Sequence, residues 1–191
     1  MIAALLLALV SLLGGAIGAQ AHQINLTNAR LVFGANRTVE VEVAMRGSDV
    51  DRAVGTRVFD DASGLVQPQA LAVAAAQIIA YVEAHTRVLG EDNRSCRPGA
   101  GNAAADGDGV VVHITWRCAE IGDPLRYRST VLIDVAPDAR QVVLIGAGSD
   151  AAQDLLDASH TETALTEAAP PTLLQVIGRY TEAGIDRKSV V

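Results

Sequence analysis

Aromatic side chains are scarce in this chain: one Trp, three Tyr and two Phe in 191 residues. So thin a supply excludes stacking platforms, aromatic cages and base-reading surfaces. Basic residues are also few, 15 against 22 acidic ones for a formal charge of -7, and Lys188 is the only lysine. Proteins that grip nucleic acid neutralise phosphates with clustered Lys and Arg, so no nucleic-acid partner is expected. Missing too are the Gly-x-Ser-x-Gly elbow, the His-Glu-x-x-His helix and any Cys/His pair at a catalytic spacing. The chain is therefore expected not to be an enzyme. Half of the residues are apolar and only 19% are charged, which argues for a folded core. The length fits one domain.

What is present begins at the N-terminus. Ile2 to Ala21 contains no charged side chain, and its apolar run is followed by Gly14, Gly15 and Gly18 and then by Ala19-Gln20-Ala21. An apolar segment, a helix-weakening stretch and a small-x-small site in that order describe a secretory signal peptide over residues 1–21, cut after Ala21. A retained membrane anchor is the alternative, with no Lys or Arg ahead of the apolar core. Either way the rest of the chain faces an oxidising compartment.

Cys96 and Cys118 are the only cysteines. In an exported chain such a pair is expected to close a disulfide, here across the base of a long, turn-rich hairpin loop that includes Arg97 to Asn102 and Asp106 to Gly109. A thiolate metal site is the rival, but no His or further Cys stands at zinc-finger spacing.

The remainder reads as an α+β domain: a mostly antiparallel β-sheet or distorted sandwich with one packed helix. Thr38 to Met45 alternates Val39, Val41 and Val43 with Glu40 and Glu42, the pattern of a half-buried strand, and Ile24 to Phe33 precedes it as a hairpin partner. Ser48 to Val54 supports one or two helical turns, and Gly55 to Gly64 reads as loop. From Pro68, the stripe Leu71, Ala75, Ile78 and Val82 predicts a helix against the sheet, closing near His85. Further strands are predicted at Thr86 to Gly90, Val110 to Trp116, Tyr127 to Val135 and Gln141 to Ile145. Gly122-Asp123-Pro124 breaks the chain before the third of these, and Pro137-Asp138 turns it after. The domain is expected over residues 22–146, followed by a strand and linker over 147–171. A trailing amphipathic helix is expected over 172–185, with Leu173, Val176, Ile177 and Tyr180 on one face.

This order of features resembles the extracytoplasmic N-terminal region of the HupE/UreJ membrane proteins. The resemblance rests on a mature His22, paired N-terminal strands, the helix ahead of Cys96, the strand Val112 to Cys118, and a Pro-rich linker before Val176 to Ile185. It runs over most of residues 22–185, with Tyr180 to Ile185 its most distinctive part. It implies a periplasmic domain on a bacterial inner membrane, associated with nickel or cobalt uptake and leading into transmembrane helices. The chain ends ahead of the family's His-rich first span. Asp186 to Val191 match the in-frame translation of a common sequencing adapter, so residues 186–191 are expected to be an artefactual tail, a genuine short tail being the alternative. The partners implied are the protein's own membrane region and the lipid bilayer.

One candidate chelate follows from the residues. At a mature N-terminus, the α-amine and imidazole of His22 can hold Ni, Co or Cu ions through two nitrogens. His113 and His160 are the available second imidazoles, although His113 reads first as an ordinary strand residue. The acidic pairs Asp60-Asp61, Glu91-Asp92 and Asp106/Asp108 lie in polar turns, where solvated carboxylates are the default. The stretch Asp106-Gly-Asp-Gly resembles part of a calcium loop without its closing Glu. Gly146-Ala-Gly148 is too short to cradle phosphate. Asn25, Asn36 and Asn93 open N-x-Ser/Thr triplets, which matter only in a eukaryotic secretory host. Two functions therefore stand: a non-catalytic periplasmic domain of a membrane metal permease, or a freestanding exported β-rich binding domain.

Overall fold

The computed structural model describes residues 25–146 and 151–165. Eleven strands and two helices follow in order. Strand β1 (Leu26–Gly34) turns through Ala35–Arg37 into β2 (Thr38–Arg46), and helix α1 (Gly47–Val54) leads to the short hairpin β3 (Phe59–Asp60) and β4 (Leu65–Val66). Helix α2 (Pro68–His85) runs into β5 (Thr86–Leu89). Then come β6 (Arg97–Asp106), β7 (Gly109–Arg117), β8 (Leu125–Ser129), β9 (Arg140–Ile145), β10 (Ala152–Leu156) and β11 (Glu162–Leu165).

The main sheet has six strands in the order β10-β9-β1-β2-β7-β6, and a three-stranded sheet has the order β11-β8-β5. All pairings are antiparallel except β1 with β9. Period-2 patterning builds the main sheet. Ala29 and Leu31, then Val39, Val41, Val43 and Met45, then Val110, Val112, Ile114 and Trp116 all point into one core. Each fully buried Val or Leu contributes about 1.5 to 3 kcal/mol of transfer free energy. Glu40, Arg30 and His113 alternate with them onto the opposite, exposed face. The α+β class with mostly antiparallel sheet is thus the observed one.

Helix α2 begins with Pro at its first turn and buries Leu71, Ala74, Ile78 and Val82. The inner residue of the second turn is Ala74, not Ala75, because Ala occupies both positions and only packing separates them. Helix α1 ends at Gly55 in the left-handed region, φ 74°. The following chain is pinned by Asp51, whose carboxylate accepts from Thr56 Oγ1, Val58 N and Phe59 N at 2.7, 2.7 and 3.0 Å. The segment 55–64 therefore carries a short strand, β3, rather than loop throughout.

Two further expectations are corrected. The stretch after Cys96 is a ten-residue strand, β6, with a bulge between Pro98 and Gly101, and the turn to β7 is only Gly107 and Asp108. Its Gly and Ala residues give no alternation to read, yet they allow α2 to lie close: a Cβ at Gly101 would fall 2.7 Å from Ile79 Cγ2. The strand expected from Tyr127 to Val135 stops at Ser129. Leu132 adopts φ 65° and Ala136 N bonds Leu132 O at 2.8 Å, so the chain turns while Val131 and Leu132 stay buried. Strands β10 and β11, from the stretch expected as strand and linker, pair with β9 and β8.

Candidate functional site

The exposed face of the six-stranded sheet holds a shallow groove of about 320 Å³ lined by Arg30, Val32, Glu40, Glu42, His113 and Thr115 among others. Register assembles it. Arg30 stands opposite Glu42, Glu42 opposite His113, and Glu40 lies between Val32 and Thr115. A cation, an anion and an imidazole therefore sit in one cross-strand row, contributed by β1, β2 and β7. His113 Nδ1 lies 3.6 Å from Glu42 Oε2. Such a row can bind a small polar group through donors and acceptors of both signs. The half-exposed surroundings leave its charges in water, so each contact is weak by itself.

The other described histidines are elsewhere. His85 closes α2, its Nδ1 donating to Tyr81 O at 2.8 Å and its Nε2 lying 3.7 Å from Asp134 Oδ2. The Tyr81 ring packs on the imidazole with centroids 4.1 Å apart. The Tyr81 hydroxyl donates to Asp134 Oδ1 at 2.8 Å and accepts from Leu132 N at 3.0 Å. Burial first, and the bond to Asp134 second, push the Tyr81 hydroxyl well above its usual pKa. This cluster fastens the end of α2 to the 130–136 turn. His160 Nε2 lies 3.4 Å from Asp154 Oδ2, at the β10–β11 connection. The structure thus keeps His113 and His160 apart. Among the described residues no three His, Cys, Asp or Glu side chains gather as a metal group. His22 and the cleavage site at Ala21 lie outside the described residues, as do segments 1–21, 172–185 and 186–191.

Cys96 and Cys118 form the expected disulfide, with S–S 2.06 Å and Cα–Cα 4.6 Å. Both are buried. The bond ties the start of β6 to the end of β7, closing the hairpin rather than a loop. A cross-link of this kind fits a non-reducing environment. Arg37 braces the adjacent turn: its guanidinium donates to Ile121 O at 2.8 Å and to both Asp123 carboxylate oxygens, and Cys118 N donates to Arg37 O at 2.8 Å. Arg37 was not foreseen as structural, because its partners lie more than 80 residues away.

The acidic pairs lie in turns or at the strand ends that border them. Asp60 accepts from Ser63 Oγ and Ala62 N, which hold its carboxyl below the usual range, led by the Ser63 bond. Asp92 is lowered chiefly by the Arg94 backbone N–H, and Arg94 also pairs with its carboxylate. Asp106 ends β6 and Asp108 lies in the turn to β7, 3.9 Å from Arg46. Asn36 and Asn93 take positive φ of 56° and 62°. Among the described residues no helix is long and apolar enough to cross a membrane. No protein-family model matches the chain, and comparison with curated proteins finds no match.

Proposed function

We propose that the chain is the non-catalytic, extracytoplasmic domain of a HupE/UreJ-like membrane protein, standing ahead of the spans that carry nickel or cobalt. The observation that carries this reading is the Tyr180 to Ile185 segment behind a Pro-rich linker, in a chain whose β-rich body resembles the family's over most of residues 22–185. The buried Cys96–Cys118 bridge supports it, since stable disulfides belong to exported proteins. In this role the groove at Arg30, Glu42 and His113 and the chelating His22 serve the periplasmic face, and the ion is cargo rather than a resident cofactor.

Independent sequencing of the gene past the codon for Ile185 tests it. An apolar run of about 20 residues soon after that codon is the expected result. An in-frame stop in the natural gene overturns the reading. It would favour the second one, a freestanding exported binding domain, for which the mixed-charge groove is the specific support.

A further inference from the structure

Strand β6 is the last strand of the six-stranded sheet, and between Arg97 and Asp106 it carries no charged side chain. Edge strands are ordinarily guarded by inward charges or cover, because their free backbone groups recruit another strand. Pro98 and the bulge beside it guard only the beginning of β6. The adjoining helix is similarly bare. From Pro68 to Val82, α2 has no charged residue, and Ala72, Val73, Ala76 and Ala80 are exposed, Val73 at 89%. A surface helix normally turns charge to water on such a flank.

We propose that this edge is the interface of a two-fold homodimer, β6 pairing antiparallel with β6 of a second copy and α2 packing along its counterpart. Charge placement argues for a second copy of this chain. At one end of the hairpin Arg97 stands opposite Arg117, with the solvent-exposed Glu120 3.4 Å from Arg97, and at the other lie Asp106 and Asp108, with Arg46 3.9 Å from Asp108, so the first end keeps a positive majority and the second a negative one. Antiparallel self-pairing lays positive end on negative end twice, as an isologous contact requires.

The bulge makes the register work. In antiparallel pairing, facing residues must direct their backbone groups alike. In an unbroken strand Arg97 and Asp106 would alternate to opposite sides. The extra residue between Pro98 and Gly101 puts Arg97, Asn102 and Asp106 on one face, beside Arg117 and His113 of β7. A two-fold axis at Asn102 then sets Gly101 against Ala103 and Arg97 against Asp106 of the second copy. Helix α2 lies directly over β6, touching Gly101 through Ile79, so its Ala-rich flank meets its mate at the close spacing that small residues permit.

The test is sedimentation velocity on the full chain, recovered after export, at about 100 µM protein. The expected species is a dimer. Arg97→Asp or Asp106→Arg alone sets like charges against each other at both ends and weakens dimerisation by about tenfold or more. The double variant Arg97→Asp/Asp106→Arg restores it. Val73→Glu, at a fully solvated helix position, weakens the dimer without unfolding the chain, which fluorescence of the single tryptophan checks. A monomeric wild type overturns the proposal. So does a dimer indifferent to the charge reversals.

Discussion

Tyr127 donates its hydroxyl proton to Gln141 Oε1 across 3.1 Å, and both side chains are buried. Gln141 Nε2 in turn donates to Thr27 Oγ1 at 3.2 Å. The chain of bonds crosses from β8 of the small sheet to β9 and β1 of the large one, so it fixes how the two sheets meet. Burial pushes the Tyr127 hydroxyl far above its ordinary pKa, opposed in part by Ser129, and it stays a donor throughout the working pH range. Tyr127→Phe leaves Gln141 Oε1 without its donor in the core. The expected cost is about 1 to 3 kcal/mol in urea unfolding. An unchanged midpoint would show that the network does not hold the sheets.

The Cys96–Cys118 bridge spans 22 positions, for which the chain-entropy estimate gives about 3 kcal/mol. Reduction, or replacement of both cysteines by Ser, should lower stability by that order. Trp116, buried one strand position from the bridge's end of β7, reports unfolding by its emission. Alkylation under denaturing conditions should label neither cysteine before reduction and both after it.

Asp51 is expected to be a costly polar residue to replace in α1. Its carboxylate accepts three bonds from the next turn of chain, two of them from backbone N–H groups. Asp51→Ala strands those donors and should cost about 2 kcal/mol or more by urea unfolding, whereas Asp51→Asn, which keeps an acceptor oxygen, should recover part of it.

These predictions separate what sequence patterning reveals from what it hides. Strand β2 was legible because its Val residues alternate with Glu, β7 and β9 because they are runs rich in β-branched residues, and the disulfide because two cysteines flank a turn-rich stretch. Strand β6 was not. It is a strand because β7 offers it a ladder and α2 covers it, neither of which is written in its Gly and Ala residues. Val131 and Leu132 looked like continued strand because burial and β-branching are shared by strands and buried turns. His113 could be placed on a strand, but its row with Arg30 and Glu42 depends on the register of three strands from distant parts of the chain. The role of Asp51 was hidden because an acid in a short helix reads as surface.

Acid should loosen the β10–β11 connection. Partial burial raises the Asp157 pKa, but bonds from Ser159 Oγ, Ser159 N and His160 N outweigh it, and the net shift is downward. A carboxylate lowered by folding contributes stability above its unfolded pKa of about 3.9, and that contribution disappears as pH falls through the folded value. Urea midpoints should therefore decline below about pH 4, and Asp157→Asn should flatten part of the decline. A variant with the same acid profile as wild type would place the sensitivity elsewhere.

Metal affinity should depend on the amino terminus itself. A chain beginning at His22 offers an α-amine and an imidazole, two nitrogens that suit nickel and copper. Adding one residue ahead of His22 moves the amine away, while His113 and His160 are unaltered. Calorimetric titration should therefore find weaker nickel and copper binding to the extended chain, and affinity should fall as pH drops and protonates both nitrogens. Equal affinities would remove the chelate and direct attention to the row formed by Glu42 and His113, where His113→Ala would be the deciding variant.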